Sequence, residues 1–487
     1  MNAAAVSRDV TVRQARALLF SLPLYTLTLT GRAPERLVAV PPDPWPGRVE
    51  NGHDILCGVY AFAGKSVSMT TPVWSPVGAC PTWLAEMHGF DWLRDLRAVA
   101  GDNARRRARE LIQSWITRHR GWSQMSWRPD IAGARIANLI GLHDFYCASA
   151  DNDFRRKVFS ALLVQTRHLA RNVLDGPDGL ERILALKGLA YGGLFLPGQR
   201  GRAVLAMRLL EPEIAHQILP DGMHAARSPE IHLMVLRHLI DLRNALKVGR
   251  MDVPDWLGTT IERMAPALRF FRHGDGALAL FNGGHESTRK TIEMVLAQAA
   301  ARGRAKQVLK DAGFVRITKG KTLILTDVGA PPPEGLDRVA HAGMLAFEMS
   351  TGRERLIVNC GSVHAEEKLT TTELRGTSSH STVTVADLDQ AGIAQPGFTR
   401  RPERIGWERT DHDGAVLLDM GHDGYRASLG IIHRRRLYLS ADGGDLRGED
   451  RLAGMPDAPF VISFYLHPDT RASLIQNGTE VLIRLTG

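Results

Sequence analysis

Cysteine is the scarcest residue type that bears on fold in this sequence. Its four copies, Cys57, Cys80, Cys147 and Cys360, show no CxxC spacing, which excludes a disulfide framework and a zinc ribbon. Lysine is also sparse, at ten of the 61 basic residues, so arginine carries the formal charge of +9. The planar guanidinium matches carboxylate, sulfate or phosphate, so the excess points to a polyanionic ligand or, more plainly, to genomic base composition. No apolar run approaches the roughly 20 residues a membrane span needs, so no transmembrane segment is expected. The stretch "ARALLFSLPLYTLTLTGR" follows Arg13 in the manner of a signal peptide. Pro23 interrupts it, three threonines dilute it and no A-x-A site follows. It reads as a helix and a strand of a cytoplasmic protein, with the periplasm as the alternative. The sequence carries no helix-turn-helix, zinc-finger or RNA-recognition signature, and its arginines are scattered, so nucleic-acid binding is set aside.

What is present is an ordinary globular composition, 44% hydrophobic and 23% charged, over a length of 487 residues that calls for two or three domains. From about Trp83 to Ala301 the apolar period is helical, as in "ARRRARELIQSWITRHR" and "EIHLMVLRHLIDLRNALKVG". Short connections between these segments imply antiparallel helix pairs. Beyond "ARGRAKQVLKDAG" the period changes to two, and runs such as "KTLILTDVG", "RLIVNCG" and "EVLIRLTG" read as short strands of a β-sandwich. The expected domains are therefore residues 1–302, all helical, and residues 303–487, all strand.

Several polar residues stand where they can face a ligand. His224 and Arg227 lie in "DGMHAARSPEIH", a loop leading into a helix whose Ser228 and Pro229 suit the N-cap and first position. His232 shares an apolar helical stripe and reads as a core histidine. Arg135 sits on an apolar helix, where a buried guanidinium needs either a ligand carboxylate or an internal Asp. His285 and Glu286 follow a Gly pair in "FNGGHES". His88 and Trp92, with Phe90, make "HGFDWLRDL" either a sugar-stacking surface or a core segment. In the strand-rich half, Tyr425 in "GHDGYR" is a proton-transfer candidate, and alternation in "HRRRLYL" sends His433 and Arg435 to one face. His341, Asn359 and His380 stand at the ends of neighbouring strands.

Taken in order, "WRPDIAGARIANLI", "DGMHAARSPEIH", "AHAGMLAFEMSTGRERLIVNCG", "RGTSSHSTVTV" and "HDGYRASLGIIHRRRL" resemble landmarks of the heparinase II/III-like family. The resemblance implies an α+β multidomain fold, an N-terminal (α/α) toroid followed by a C-terminal antiparallel β-sandwich. It implies a polysaccharide lyase that cleaves a uronic-acid-containing glycan by β-elimination in the cleft between the two domains. Its partner would be an acidic polysaccharide or oligosaccharide. It also implies a structural zinc in the β-domain held by His341, Asn359 and His380, with Asn359 standing where relatives carry Asp. By the same resemblance, Ile231 replaces a catalytic Tyr, Val339 replaces a catalytic His, and "DGPDGLERI" lacks a neutralising Asn. The chemistry then falls to His224, Tyr425 and His285 as acid and base, with Arg135, Arg227, Trp92, His88 and Arg435 binding substrate. The alternative is a catalytically silent protein of this fold that binds an acidic glycan. A glycoside hydrolase is the third reading and needs paired cleft carboxylates from among Asp91, Asp130, Asp175 and Glu286.

Overall fold

The computed structural model describes residues 15–69, 74–362, 371–454 and 457–485. The described residues divide into two compact units. One holds those up to Glu213 together with His238–Asp255, and the other holds Ile214–Arg237 and those from Trp256 onward.

The first unit is helical apart from a hairpin of Val59–Phe62 with Lys65–Ser68. Its helix starts follow local chemistry. Pro81 and Pro129 occupy first positions, where a missing N–H costs nothing, and the Asp151 side chain accepts from Phe154 N at 2.8 Å to cap Asn152–Asn172. The helices Pro129–Gly141 and Leu180–Phe195 cross at Gly133 and Gly188, where a Cβ added to Gly188 would lie 2.2 Å from the Gly133 Cα. Only glycine permits that approach. Between Gly101 and Arg118 the buried positions Ala104, Ala108, Leu111, Ile112 and Trp115 recur at helical spacing, as the sequence pattern predicts. The expected strand in "YTLTLT" is instead part of the helix Pro23–Leu29. Pro23 suits the first turn of that helix, and Tyr25 and Leu29, about one turn apart, share a face and pack in one buried cluster with Trp127.

The second unit is built on two antiparallel sheets. The six-stranded sheet runs, edge to edge, Tyr465–Leu466, Glu354–Val358, Phe347–Thr351, Thr322–Asp327, Phe314–Lys319 and Val308–Leu309. The four-stranded sheet is a meander of Ile405–His412, Ala415–His422, Ile432–Leu439 and Leu446–Ala453. One apolar core joins them, with Val315, Ile317, Ile324 and Phe347 from the first against Val416, Leu418, Met420 and Leu437 from the second. The strand Ala415–His422 alternates buried and less buried positions, which is the pattern of a sheet with one face inside. The helices Trp256–Phe270 (the part of Asp255–Phe270 in this unit) and Arg289–Ala299 precede the first strand, which begins at Val308.

Candidate functional site

In the second unit, the loop after Gln217 holds His224 with both ring nitrogens engaged. Ala226 N donates to Nδ1 at 3.0 Å, and Nε2–H donates to Gln217 Oε1 at 2.8 Å. His232 is bonded likewise, taking His224 N on Nδ1 and donating from Nε2 to Met264 O at 2.9 Å. Burial pushes the His224 imidazole down to about 3 and His232 to about 4, so both are neutral and both are core residues. Arg227 takes the left-handed conformation, with φ 56°, and its side chain ties this loop to the first strands. Its Nε donates to Ala312 O at 2.6 Å and an Nη to Asp327 at 2.5 Å, and the guanidinium stacks 4.6 Å over Phe314. Burial raises the Asp327 carboxyl even against Arg227. Arg227 thus already holds a carboxylate, the protein's own.

Asn282, also left-handed at φ 49°, connects that loop to the next group of residues. Its Nδ2 donates to Arg227 O and its Oδ1 accepts from His341 N, both at 3.0 Å. His341 Nδ1 lies 3.1 Å from His380 Nε2, and His380 Nδ1 donates to Gly376 O at 2.7 Å. Asn359 stands beside them, accepting from Ser381 N at 3.2 Å and donating to Glu348 at 3.1 Å. The three residues expected to hold zinc are therefore brought into one buried cluster. Its donor set is a poor match to zinc. Two imidazoles are bonded to each other, and the third donor is a neutral amide with both ends occupied. Glu348, the nearby carboxylate, is turned to His273 Nε2 at 2.9 Å and Leu280 N at 2.9 Å. Among the described residues no group of three His, Cys, Asp or Glu is placed to hold a metal. The arrangement is a hydrogen-bonded chain whose neutral histidines follow from burial, which lowers His341 well below its ordinary value and His380 to about 4.

His285 differs from all of these because it reaches the surface. Its Nδ1 lies 2.7 Å from Glu230 Oε2, which also accepts His285 N at 3.0 Å, and the two side chains are 33% and 27% exposed. The Glu230 carboxylate fixes Nδ1 and so orients the ring, whose exposed part is its edge, since the Nε2 atom itself is buried. Alongside, His467 Nε2 lies 3.0 Å from Glu286 Oε1. Glu230 and His467 carry no mark in the sequence reading. Glu230 lies within "SPEIH", where its neighbours read as a helix start, and His467 follows a short strand in "YLHPD".

Tyr425 and Arg435 lie elsewhere in the second unit, under the four-stranded sheet. The Tyr425 hydroxyl donates to Val383 O at 2.7 Å, and burial raises its pKa. Arg435 forks onto Asp450 at 2.8 and 3.0 Å and also donates to Leu345 O and Ser381 O. His433 joins Asp450 at 2.8 Å and meets His422 at 3.3 Å. These groups hold the sheet to its neighbours.

In the first unit, Arg135 is fully buried. Its Nε donates to Gln165 Oε1 at 2.7 Å, Nη1 donates to His88 O at 2.8 Å, and the guanidinium lies 4.0 Å over Trp115. Its Nη2 has no partner, and burial without a carboxylate lowers the guanidinium to about 9. His88 accepts Trp115 Nε1 at 3.0 Å, and Trp92 donates to Met87 O at 2.9 Å. Both are core residues, His88 being pushed by burial to about 3.

The family description "Heparinase II/III N-terminus" matches residues 88–310, and "Heparinase II/III-like, C-terminal" matches residues 301–487. The chain is 34% identical over 475 residues to FtsZ-localized protein C of Caulobacter vibrioides, covering 93% of this chain and 81% of that protein. It is 20% identical over 249 residues to a heparin-sulfate lyase of Bacteroides thetaiotaomicron, covering 45% of this chain and 34% of the lyase. Among solved structures it superposes on heparinase III with a TM-score of 0.70 at 15% identity, covering 91% and 76% of the two chains. On the heparan sulfate lyase HepC of Pedobacter heparinus the TM-score is 0.55 at 16% identity, covering 89% and 72%. The helix-then-sheet order that these structures share, and the two family matches spanning residues 88–487, show that this chain belongs to the heparinase II/III-like family.

Proposed function

We propose that this chain is a polysaccharide lyase, an (α/α) toroid of residues 1–302 followed by an antiparallel β-sandwich of residues 303–487, that cleaves a uronic-acid-containing glycan by β-elimination. The observation that carries this reading is the partly exposed His285 held by Glu230. In the elimination, the His285 imidazole takes the C5 proton of the uronate, which is weakly acidic because the charge left behind spreads into the C6 carboxylate. The C5–H electron pair forms the C4–C5 double bond and the C4–O4 bond breaks. The imidazolium, stabilised by Glu230, returns its proton to O4. Taking and returning the proton on one face lets a single residue serve both steps. The likeness to an FtsZ-localized protein supports the cytoplasm as the place of action, where an acidic oligosaccharide is the natural substrate.

A second reading, a silent acidic-glycan binder, is favoured by Ile231 and Val339 at positions where the family resemblance leads one to expect Tyr and His. Absorbance near 232 nm separates the two, because elimination creates a conjugated double bond and hydrolysis does not. With a panel of uronate oligosaccharides, the lyase reading expects a rising signal that His285→Ala lowers by roughly 10²–10⁴-fold. A flat trace with binding still measurable by calorimetry establishes the silent reading.

A further inference from the structure

The face of the four-stranded sheet turned away from the apolar core carries a cleft of about 470 Å³, lined by Arg404, Gly406, Gly421, Arg426 and Arg434 among others. Gly406 pairs with Gly421, and Gly421 pairs with Arg434 on the next strand, so the three stand in one row across the sheet. Their sequence neighbours Trp407 and Met420 point the other way, into the core.

Two independent features mark this row. The first is charge. Elsewhere on the same sheet the arginines are neutralised by carboxylates: Arg409 by Asp411, Arg436 by Asp419, Arg447 by Asp445 and Arg451 by Glu449. Among the described residues, Arg404, Arg426 and Arg434 form no ion pair. Of the carboxylates lining the cleft, Asp419 is engaged by Arg436, and Asp423 is turned to the backbone, accepting Glu403 N and Arg404 N at 2.9 Å, so Glu408 and Asp423 stand against three guanidiniums and the lining keeps an excess of positive charge. The second feature is glycine without a backbone reason. Gly406 has no positive φ, and a Cβ there would meet nothing within 4 Å, so a branched residue fits the strand. A strand-interior glycine gives up packing and backbone entropy, and where no bulge or tight turn requires it, close approach of a ligand is the remaining physical use.

We propose that this cleft is an accessory site for an acidic oligosaccharide. Arg404, Arg426 and Arg434 hold its carboxylate or sulfate groups, and a sugar ring lies over the bare Gly406 backbone, beside Gly421, which the Arg434 stem covers. The choice of a glycan rests on the reading given under Proposed function, whereas the oxyanion chemistry rests on the arginines alone.

The test is calorimetric titration of the full chain in the His285→Ala background, so that turnover does not consume the probe. The probes are a heparin-derived octasaccharide, maltooctaose as its neutral counterpart, and inorganic sulfate, at constant ionic strength. The octasaccharide is expected to bind and maltooctaose not to. The double substitution Arg404→Gln/Arg434→Gln is expected to weaken binding by about tenfold. Gly406→Val, which keeps every charge and fills the floor, is expected to weaken it similarly. The control Arg447→Gln/Arg451→Gln, on the same sheet, is expected to change it by less than about twofold. Circular dichroism confirms that each variant is folded. Equal losses in the two arginine doubles, tight maltooctaose binding, full affinity in Gly406→Val, or no heat with the octasaccharide overturns the proposal, and so does sulfate alone matching the octasaccharide. A flat trace near 232 nm counts against the lyase reading only, because this titration reads binding.

Discussion

The Arg227–Asp327 pair gives the sharpest stability prediction. Both side chains are about 6% exposed, and the pair joins the His224 loop to the strand Thr322–Asp327. Asp327→Ala removes the carboxylate, leaves the guanidinium with only the Ala312 and Gly313 carbonyls, and takes the acceptor from Gly329 N. Removing one partner of a buried pair costs about 3–5 kcal/mol, because the other charge stays desolvated. With a urea slope of about 3 kcal/mol per molar, the unfolding midpoint falls by about 1–1.7 M. Far-UV circular dichroism across a urea series measures it. The double variant Arg227→Met/Asp327→Leu removes both charges and is expected to recover to within about 0.5 M of the parent, as buried pairs replaced by apolar groups often do. If Asp327→Ala alone stays within about 0.3 M of the parent, the pair is solvated and the reasoning is wrong.

Two further predictions follow from burial and packing. The rings of His88, His168 and His224 are pushed by burial to about 3 and those of His232 and His380 to about 4, against about 6.5 in the unfolded chain. The unfolded chain therefore binds protons that these rings refuse. Their contribution is fully present above pH 6.5 and is lost as pH falls toward about 4 for His232 and His380 and about 3 for the other three, with a ceiling of about 1.4 kcal/mol per ring at pH 5.5. Urea midpoints at pH 7.5, 6.5 and 5.5 should drop steeply over the last step, and equal midpoints would refute it. Gly188→Val forces the helices Pro129–Gly141 and Leu180–Phe195 apart and should lower stability by about 3 kcal/mol. A thermal melt unchanged from the parent would mean that the crossing is looser than its geometry.

Much of the secondary structure was legible because burial repeats at fixed spacing. The switch from a helical to a two-residue period is matched by the helix ending at Ala299 and the first strand of the second unit starting at Val308, although the hairpin Val59–Phe62 with Lys65–Ser68 lies within the helical half. Where the reading missed, the cause is specific. The strand Ile405–His412 exposes most of its length and reads as polar, yet Asp413-Gly414 after it is a two-residue hairpin turn that could have revealed it. Conversely "YTLTLT" alternates like a strand but obeys Pro23 and the Tyr25–Leu29 contact.

For the candidate site, the sequence by itself determined which residue types are present and that His224, Arg227 and His285 stand near helix starts and loops. It also determined that Ile231 and Val339 occupy positions where the family resemblance leads one to expect Tyr and His. Only the tertiary structure decided which of those groups are spent. It closed His224 onto Gln217, Arg227 onto Asp327 and Tyr425 onto Val383, and it set Glu230 behind His285 across 55 residues of chain. The physical reason is that a polar side chain's availability depends on burial and on partners far away in sequence. Local pattern encodes which face a residue takes, but not what meets it there.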